Sequence, residues 1–170
     1  MSRDAHAIST IVFDWGGVCC NPAEPFASSA LQHILGLNPD QIASQIRDLY
    51  NDHYRGVYTA HEFWSAVMEH FNLAESTEIN PVSLTQAYVD SYALYPEVLA
   101  KARELKMQYR VALLSNLTPV MRDHIRNAHN TQEYFDVEVF SCDSNVRAIK
   151  PDAQIYKTFL AISGAQAQEC

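Results

Sequence analysis

Apolar residues follow two different patterns along this chain: short continuous runs typical of buried strands, and the spacing of amphipathic helices. The positions where the strand-like runs stop and resume separate a core from an insert. Apolar residues run almost without interruption at 10–13 and 109–114, which is typical of strands in a parallel sheet covered on both faces, and residues 134–140 predict a further short strand. Helically spaced apolar residues lie between and after these runs. Alternation of strands and helices indicates βαβ units, so the predicted fold class is α/β with a Rossmann-like parallel sheet.

Residues 21–94 show only the helical spacing of apolar residues, and capping signals indicate where their helices begin. Asn38 followed by Pro39 predicts the start of one helix whose apolar stripe continues through Tyr50. Thr59 and Glu62 have the spacing of a capping box at the start of the next helix. We therefore expect an α-helical subdomain at residues 21–94, inserted into a core formed by residues 1–20 and 95–170.

Composition and charge exclude several classes of partner. Hydrophobic residues make up 48% and charged residues 19% of the chain, which is ordinary for a globular protein. The net charge of −8 and the absence of any basic run argue against nucleic acid and anionic membranes as partners. The sequence shows neither an apolar stretch of membrane-spanning length nor a signal peptide, and its four cysteines form no CxxC pair. We expect a cytoplasmic protein with buried, reduced thiols.

Three predicted strands end in residues that carry chemistry. Asp14 directly follows the first strand, Ser115 follows the second, and the loop after the third leads to Lys150. Parallel strands end at the same edge of a sheet, so a carboxylate nucleophile, a hydroxyl and an ammonium are expected to converge there. This combination can attack and hold a phosphoryl group. Because the carboxylate and the phosphate repel each other, Mg²⁺ is expected between them. The alternatives are a turn or cap role for Asp14, a helix cap at Ser115 and a solvated loop lysine at Lys150.

Four further residues near these strand ends are candidates for binding substrate. Backbone amides near Gly16 and Gly17 could bind phosphoryl oxygens. Trp15 could form a wall of the substrate pocket or serve in packing, and Asn116 could point at the substrate or belong to a turn. The sequence leaves these alternatives open.

Three segments resemble, in order, the first three motifs of the haloacid dehalogenase-like hydrolase superfamily: FDWGGV at 13–18, LLSN at 113–116 and KPDAQIY at 150–156. The insert resembles that superfamily's small α-helical cap, and residues 55–64 are similar to its sugar-phosphate-phosphatase-like branch. The resemblance implies a hydrolase that dephosphorylates a small phosphorylated metabolite through an aspartyl-phosphate at Asp14, with Lys150 in the catalytic site. It also implies Mg²⁺ held by Asp14 and the backbone carbonyl of Gly16.

Two departures from the family pattern shape the expectations. Phosphatases of this superfamily usually carry a general acid two residues after the nucleophile, where this chain has Gly16. The acidic pair of the fourth motif is expected beyond Cys170, together with further strands. We therefore expect a truncated chain whose first strand has a bare edge, open to self-association. Two alternatives stay open: a 2-haloacid dehalogenase that attacks carbon without a metal, and a catalytically silent fragment or binding relative.

Overall fold

A computed structural model describes residues 8–22 and 26–170, and its centre is a parallel sheet of three strands. The strands are β1 (Thr10–Phe13), β2 (Arg110–Ser115) and β3 (Val137–Phe140), in the spatial order β1-β2-β3. Both pairings are parallel: Thr10 lies opposite Arg110, and Ala112 lies opposite Val137. The carboxyl ends of all three strands therefore meet at one edge, and the predicted α/β class is confirmed.

The helices fall into two groups, one in the insert and one around the sheet. The insert contains α1 (Ser29–Leu35), α2 (Pro39–Gln45), α3 (Arg47–Tyr54), α4 (Ala60–His70) and α5 (Pro81–Val89). The core contains α6 (Pro96–Leu105), α7 (Pro119–His129) and α8 (Ala153–Ser163). Short 3-10 helices lie at Thr131–Glu133 and Ala167–Glu169.

The central strand β2 is buried on both faces. Val111 and Leu113 belong to one apolar cluster, which also takes in residues of α6, α7 and the insert. Ala112 and Leu114 belong to a second cluster with Ile155 of α8. The layered arrangement explains why β2 is a continuous apolar run rather than an alternating one.

Capping residues of the insert behave as predicted, but one of its helices is interrupted. Asn38 caps α2, and Thr59 with Glu62 forms a complete capping box at the start of α4. The prediction of one helix from Asn38 through Tyr50 is wrong, since the chain leaves helical geometry at Ile46 (φ −120°, ψ 30°). Ile46 is buried, so tertiary packing of this β-branched side chain outweighs the local helical pattern.

The chain leaves the core and returns to it at two segments that are hydrogen-bonded to each other. Cys20 and Leu94 form an antiparallel bridge, and the Tyr95 N–H donates to the Cys19 carbonyl at 2.8 Å. The Asn21 N–H donates to the Ala93 carbonyl at 3.0 Å. The predicted boundaries of the insert fall at this crossing, and the division into two subdomains stays a prediction.

The predictions about cysteines, membrane-spanning segments, location and self-association have different outcomes. Cys19, Cys20 and Cys142 are buried free thiols as expected, but Cys170 is exposed. Across residues 8–22 and 26–170, helices that are both long and apolar enough for a bilayer do not occur. Cytoplasmic location and self-association through β1 stay predictions.

His53 of α3 is buried against an aromatic ring, and this makes stability depend on pH. It is 3% exposed, its imidazole stacks on Phe63 at 4.2 Å between ring centroids, and its Nδ1 lies 3.3 Å from the Tyr58 carbonyl oxygen. Burial lowers the pKa of His53 from its ordinary value of 6.5 to about 4. Above pH 6.5 both folded and unfolded chains hold it neutral; on acidification towards pH 4 the unfolded chain binds the proton first. We expect about 3 kcal/mol of stability to be lost across that window.

Urea unfolding between pH 7 and pH 4 measures this loss. His53→Gln should flatten the pH dependence in that window even where it lowers stability at neutral pH. His61→Gln is the matched control, because His61 is an exposed histidine of the neighbouring helix α4. An unchanged pH slope in His53→Gln would contradict the assignment.

Candidate active site

The carboxylate of Asp14, immediately after β1, is the point on which the predicted site residues converge. Its Oδ1 accepts hydrogen bonds from the Ser115 hydroxyl at 2.7 Å and from the Trp15 N–H at 2.8 Å. Its Oδ2 lies 2.7 Å from Lys150 Nζ. Parallel strand ends thus bring the Asp14 carboxylate together with a hydroxyl and an ammonium that both lie more than a hundred residues further along the chain.

Lys150 is held on both its side chain and its backbone. Its Nζ donates to the Leu114 carbonyl at 3.1 Å, next to the ion pair with Asp14. Asn116 accepts from the Lys150 N–H at 2.7 Å through Oδ1 and donates to the Lys150 carbonyl at 3.2 Å through Nδ2. The peptide bond that follows, Lys150–Pro151, is cis. Asn116 lies on the cavity wall, and its two hydrogen bonds hold the backbone of Lys150.

Asp14 and Lys150 are exposed enough to meet a ligand, and for the same reason their ion pair adds little to the stability of the fold. The side chains of Asp14 and Lys150 are 39% and 21% exposed, whereas Ser115 is buried. Ion pairs between partly exposed groups contribute little to the free energy of unfolding. The Asp14 carboxylate is therefore oriented by neighbouring donors and still open to a ligand.

A cavity of about 370 Å³ opens above Asp14, which is a volume suited to a small molecule. The core contributes strand-end and loop residues to its wall: Asp14, Gly16, Ser115, Asn116, Ile149 and Lys150. The insert contributes three residues of α3: Tyr50, Asn51 and Tyr54. The site thus lies between the core and the insert.

The wall formed by α3 is the part of the site that the sequence did not reveal. The sequence places Tyr50 in an apolar stripe, and nothing in it singles out Asn51 or Tyr54. In the structure the Tyr50 and Tyr54 hydroxyls lie 3.2 Å apart, one helical turn from each other. A tyrosine pair at i and i+4 with an amide beside it is a signal that could have indicated a polar helix face.

Trp15 and Gly17 are placed away from the cavity wall. The Trp15 ring is 1% exposed and stacks on His129, with 6.3 Å between ring centroids, so it packs inside the core. Successive side chains at a strand end point to opposite sides, so Trp15 faces away where Asp14 faces the cavity. The Gly17 N–H donates to the Cys20 carbonyl at 2.8 Å within its own loop. Of these two residues, only the Trp15 backbone N–H reaches the Asp14 carboxylate.

The oxygen donors in the cavity are compatible with Mg²⁺. Asp14 and Gly16 both lie on the wall, as the predicted carboxylate and backbone-carbonyl ligands require. Within the described part of the chain, no group of three or more His, Cys, Asp or Glu side chains is arranged to hold a metal. Mg²⁺ in phosphoryl-transfer sites commonly takes one or two carboxylates and completes its shell with phosphate oxygens and water. The residues present fit such an ion.

Comparison with known proteins identifies a family and several similar folds. The sequence model of a family described as haloacid dehalogenase-like hydrolase matches residues 8–170. The fold is similar to that of a HAD family enzyme from Bacteroides thetaiotaomicron, with a TM-score of 0.79 and 18% identity over 96% of this chain and 82% of that one. A predicted HAD-like hydrolase from Porphyromonas gingivalis gives a TM-score of 0.72 and 22% identity over 95% and 79%. An L-2-haloacid dehalogenase from Xanthobacter autotrophicus gives 0.58 and 21% over 95% and 67%.

No curated protein sequence matches the chain. The family match nevertheless spans residues 8–170, and the fold is similar to those of HAD family enzymes. The chain belongs to the haloacid dehalogenase-like hydrolase family.

Proposed function

We propose that this chain hydrolyses a phosphate monoester of a small metabolite through an aspartyl-phosphate on Asp14. The observation that carries the proposal is the Asp14 carboxylate, held at 2.7 Å by both Ser115 and Lys150 at the floor of a small-molecule cavity. A similar fold supports it: a HAD family enzyme from Bacteroides thetaiotaomicron forms a complex with magnesium and inorganic phosphate (TM-score 0.78, 19% identity).

Each residue of the cluster has a defined part in the reaction. An oxygen of Asp14 attacks phosphorus, and the bond between phosphorus and the leaving oxygen breaks. Lys150 reduces the repulsion between the Asp14 carboxylate and the incoming phosphate. Ser115 and the Trp15 N–H orient the carboxylate before attack. Water then attacks phosphorus and releases phosphate, which regenerates Asp14.

Mg²⁺, held by Asp14 and the Gly16 backbone carbonyl, would supply further neutralisation of phosphate charge when bound. The local positive charge matters in a chain of net charge −8, because Lys150 alone provides it on the cavity wall of the described residues.

A 2-haloacid dehalogenase is the second candidate, and Gly16 is the observation that favours it. Attack of Asp14 on a carbon that bears a halide requires no protonation of the leaving group, so the absence of a general acid does not slow that reaction. The fold resemblance to the Xanthobacter dehalogenase is weaker (TM-score 0.58) than to the Bacteroides enzyme (0.79). We therefore rank hydrolysis of phosphate esters first.

One assay on the purified chain separates the two reactions. We expect phosphate release from a panel of sugar phosphates and nucleotides in the presence of Mg²⁺, and loss of that release with a chelator. Halide release from 2-chloropropionate is measured in parallel without added metal. Halide release without phosphate release would replace the proposal by the dehalogenase, and absence of both activities would support a silent binding relative.

A further inference from the structure

The proposed reaction leaves one chemical need unmet by the residues assigned so far. When the phosphorus–oxygen bond breaks, the leaving alkoxide requires a proton, and a general acid typically contributes a factor of about 10²–10⁴. Gly16 has no side chain to supply it. A Cβ built at Gly16 would meet no atom within 4 Å, so the place of the usual acid is open space on the cavity wall.

Few groups on this wall carry a proton that they can transfer. Asp14 is the attacking carboxylate, and Ser115 donates its hydroxyl hydrogen to it. The ammonium of Lys150 is committed to Asp14 and to the Leu114 carbonyl. Among the residues that line the cavity, the remaining acids are the phenols of Tyr50 and Tyr54.

The hydrogen bonds between the tyrosines favour Tyr54 as the acid. The Tyr50 hydroxyl donates to the Tyr54 hydroxyl at 3.2 Å, and the Tyr88 side chain also hydrogen-bonds Tyr54. Burial, with Tyr54 beside it, raises the pKa of Tyr88 well above its ordinary value, so Tyr88 retains its proton and serves as a donor. These hydrogen-bond donors lie where negative charge would be left on the Tyr54 oxygen after a proton transfer.

Tyr54 is also fixed relative to the nucleophile. Its backbone carbonyl accepts a hydrogen bond from the Ser141 hydroxyl at 2.6 Å, and Ser141 is fully buried directly after β3. The same hydroxyl accepts from the Leu117 N–H at 3.1 Å, close to the Ser115 strand end. The end of α3 is thereby anchored to the edge of the sheet that carries Asp14.

We propose that the Tyr54 hydroxyl, at the end of α3 in the cavity above Asp14, protonates the leaving oxygen in place of the acid missing at Gly16. This inference rests on the proposed phosphatase activity. As Asp14 bonds to phosphorus and the leaving oxygen departs, the Tyr54 proton passes to that oxygen and the alcohol is released. Water then attacks phosphorus, its proton passes to the Tyr54 phenolate, and the bond between phosphorus and Asp14 breaks. Tyr54 and Asp14 both return to their starting forms.

Leaving-group dependence tests the proposal without knowledge of the natural substrate. Rates of phosphate release are compared for an activated ester, 4-nitrophenyl phosphate, and an unactivated ester of similar shape, phenyl phosphate. Tyr54→Phe should lose about 10²-fold or more on phenyl phosphate and far less on 4-nitrophenyl phosphate, since a good leaving group needs no proton. The ratio of the two rates is the readout, because a merely structural loss lowers both equally.

Tyr50→Phe is the matched control: it removes a phenol from the same helix and the same wall. We expect its ratio of rates to change several-fold at most. An unchanged ratio in Tyr54→Phe, or an equal change in Tyr50→Phe, would overturn the role of Tyr54 while the phosphatase proposal stands. Failure of the unmodified chain to hydrolyse either ester would overturn the phosphatase proposal itself.

Discussion

If the proposed phosphatase reaction is correct, Asp14→Asn should abolish phosphate release, with an expected loss of about 10⁴-fold or more, because removal of a nucleophile from a covalent mechanism leaves only binding and electrostatic contributions. The amide is nearly isosteric with the carboxylate and can still accept the hydrogen bonds from Ser115 and Trp15. It cannot bond covalently to phosphorus as the carboxylate does. Steady-state phosphate release and acid-quench trapping of a phosphorylated chain measure the two consequences.

The control for this variant is Asp48→Asn, which removes the same charge from an exposed position in the first turn of α3. It should leave activity within a few-fold of the unmodified chain. Asp14→Asn should melt close to the unmodified protein, since its partly exposed ion pair contributes little to stability. Appreciable turnover by Asp14→Asn would remove the covalent step from the proposal.

The parts of the site that the sequence predicts are those fixed by the sheet. Asp14 follows β1 and Ser115 is the last residue of β2, both strands are clearly apolar, and parallel pairing brings these strand ends together. Lys150 is less constrained, because it lies in a loop after β3. Its position depends on contacts with Asn116 and Leu114 that no local pattern shows.

The insert is harder to predict, because its helices are positioned by packing rather than by strand pairing. A buried side chain at Ile46 breaks a helix that the capping and spacing signals describe as continuous. The helix that follows this break, α3, is the one that carries Tyr54 to the cavity wall. Trp15 shows the same limit: the sequence leaves open whether it forms a cavity wall or packs, and the structure buries its ring in the core.

The contact between α3 and the core also depends on one glycine. Gly56 follows the helix with a positive φ of +72°, and a Cβ built there would lie 2.4 Å from the Cys142 carbonyl oxygen. That oxygen belongs to the backbone directly after Ser141, which anchors Tyr54. A side chain at position 56 therefore meets the loop that holds the cavity wall of α3 in place.

Gly56→Ala is accordingly expected to cost about 3 kcal/mol or more in the free energy of unfolding. The left-handed backbone alone costs an alanine about 1–2 kcal/mol, and overlap with a backbone oxygen adds to it because that oxygen cannot rotate away. The end of α3 must shift, so the Tyr54 contact with Ser141 weakens and activity falls as well. Urea unfolding and the rate of 4-nitrophenyl phosphate hydrolysis record both effects.

Gly36→Ala separates the two causes, since Gly36 shares the left-handed conformation (φ +65°) but has no atom within 4 Å of its built Cβ. It should cost only the conformational part, about 1–2 kcal/mol, and leave activity unchanged. The difference between the two variants therefore measures the contact with Cys142. Equal losses would show that the contact relaxes, and that the insert is not fixed to the core by the close approach of Gly56.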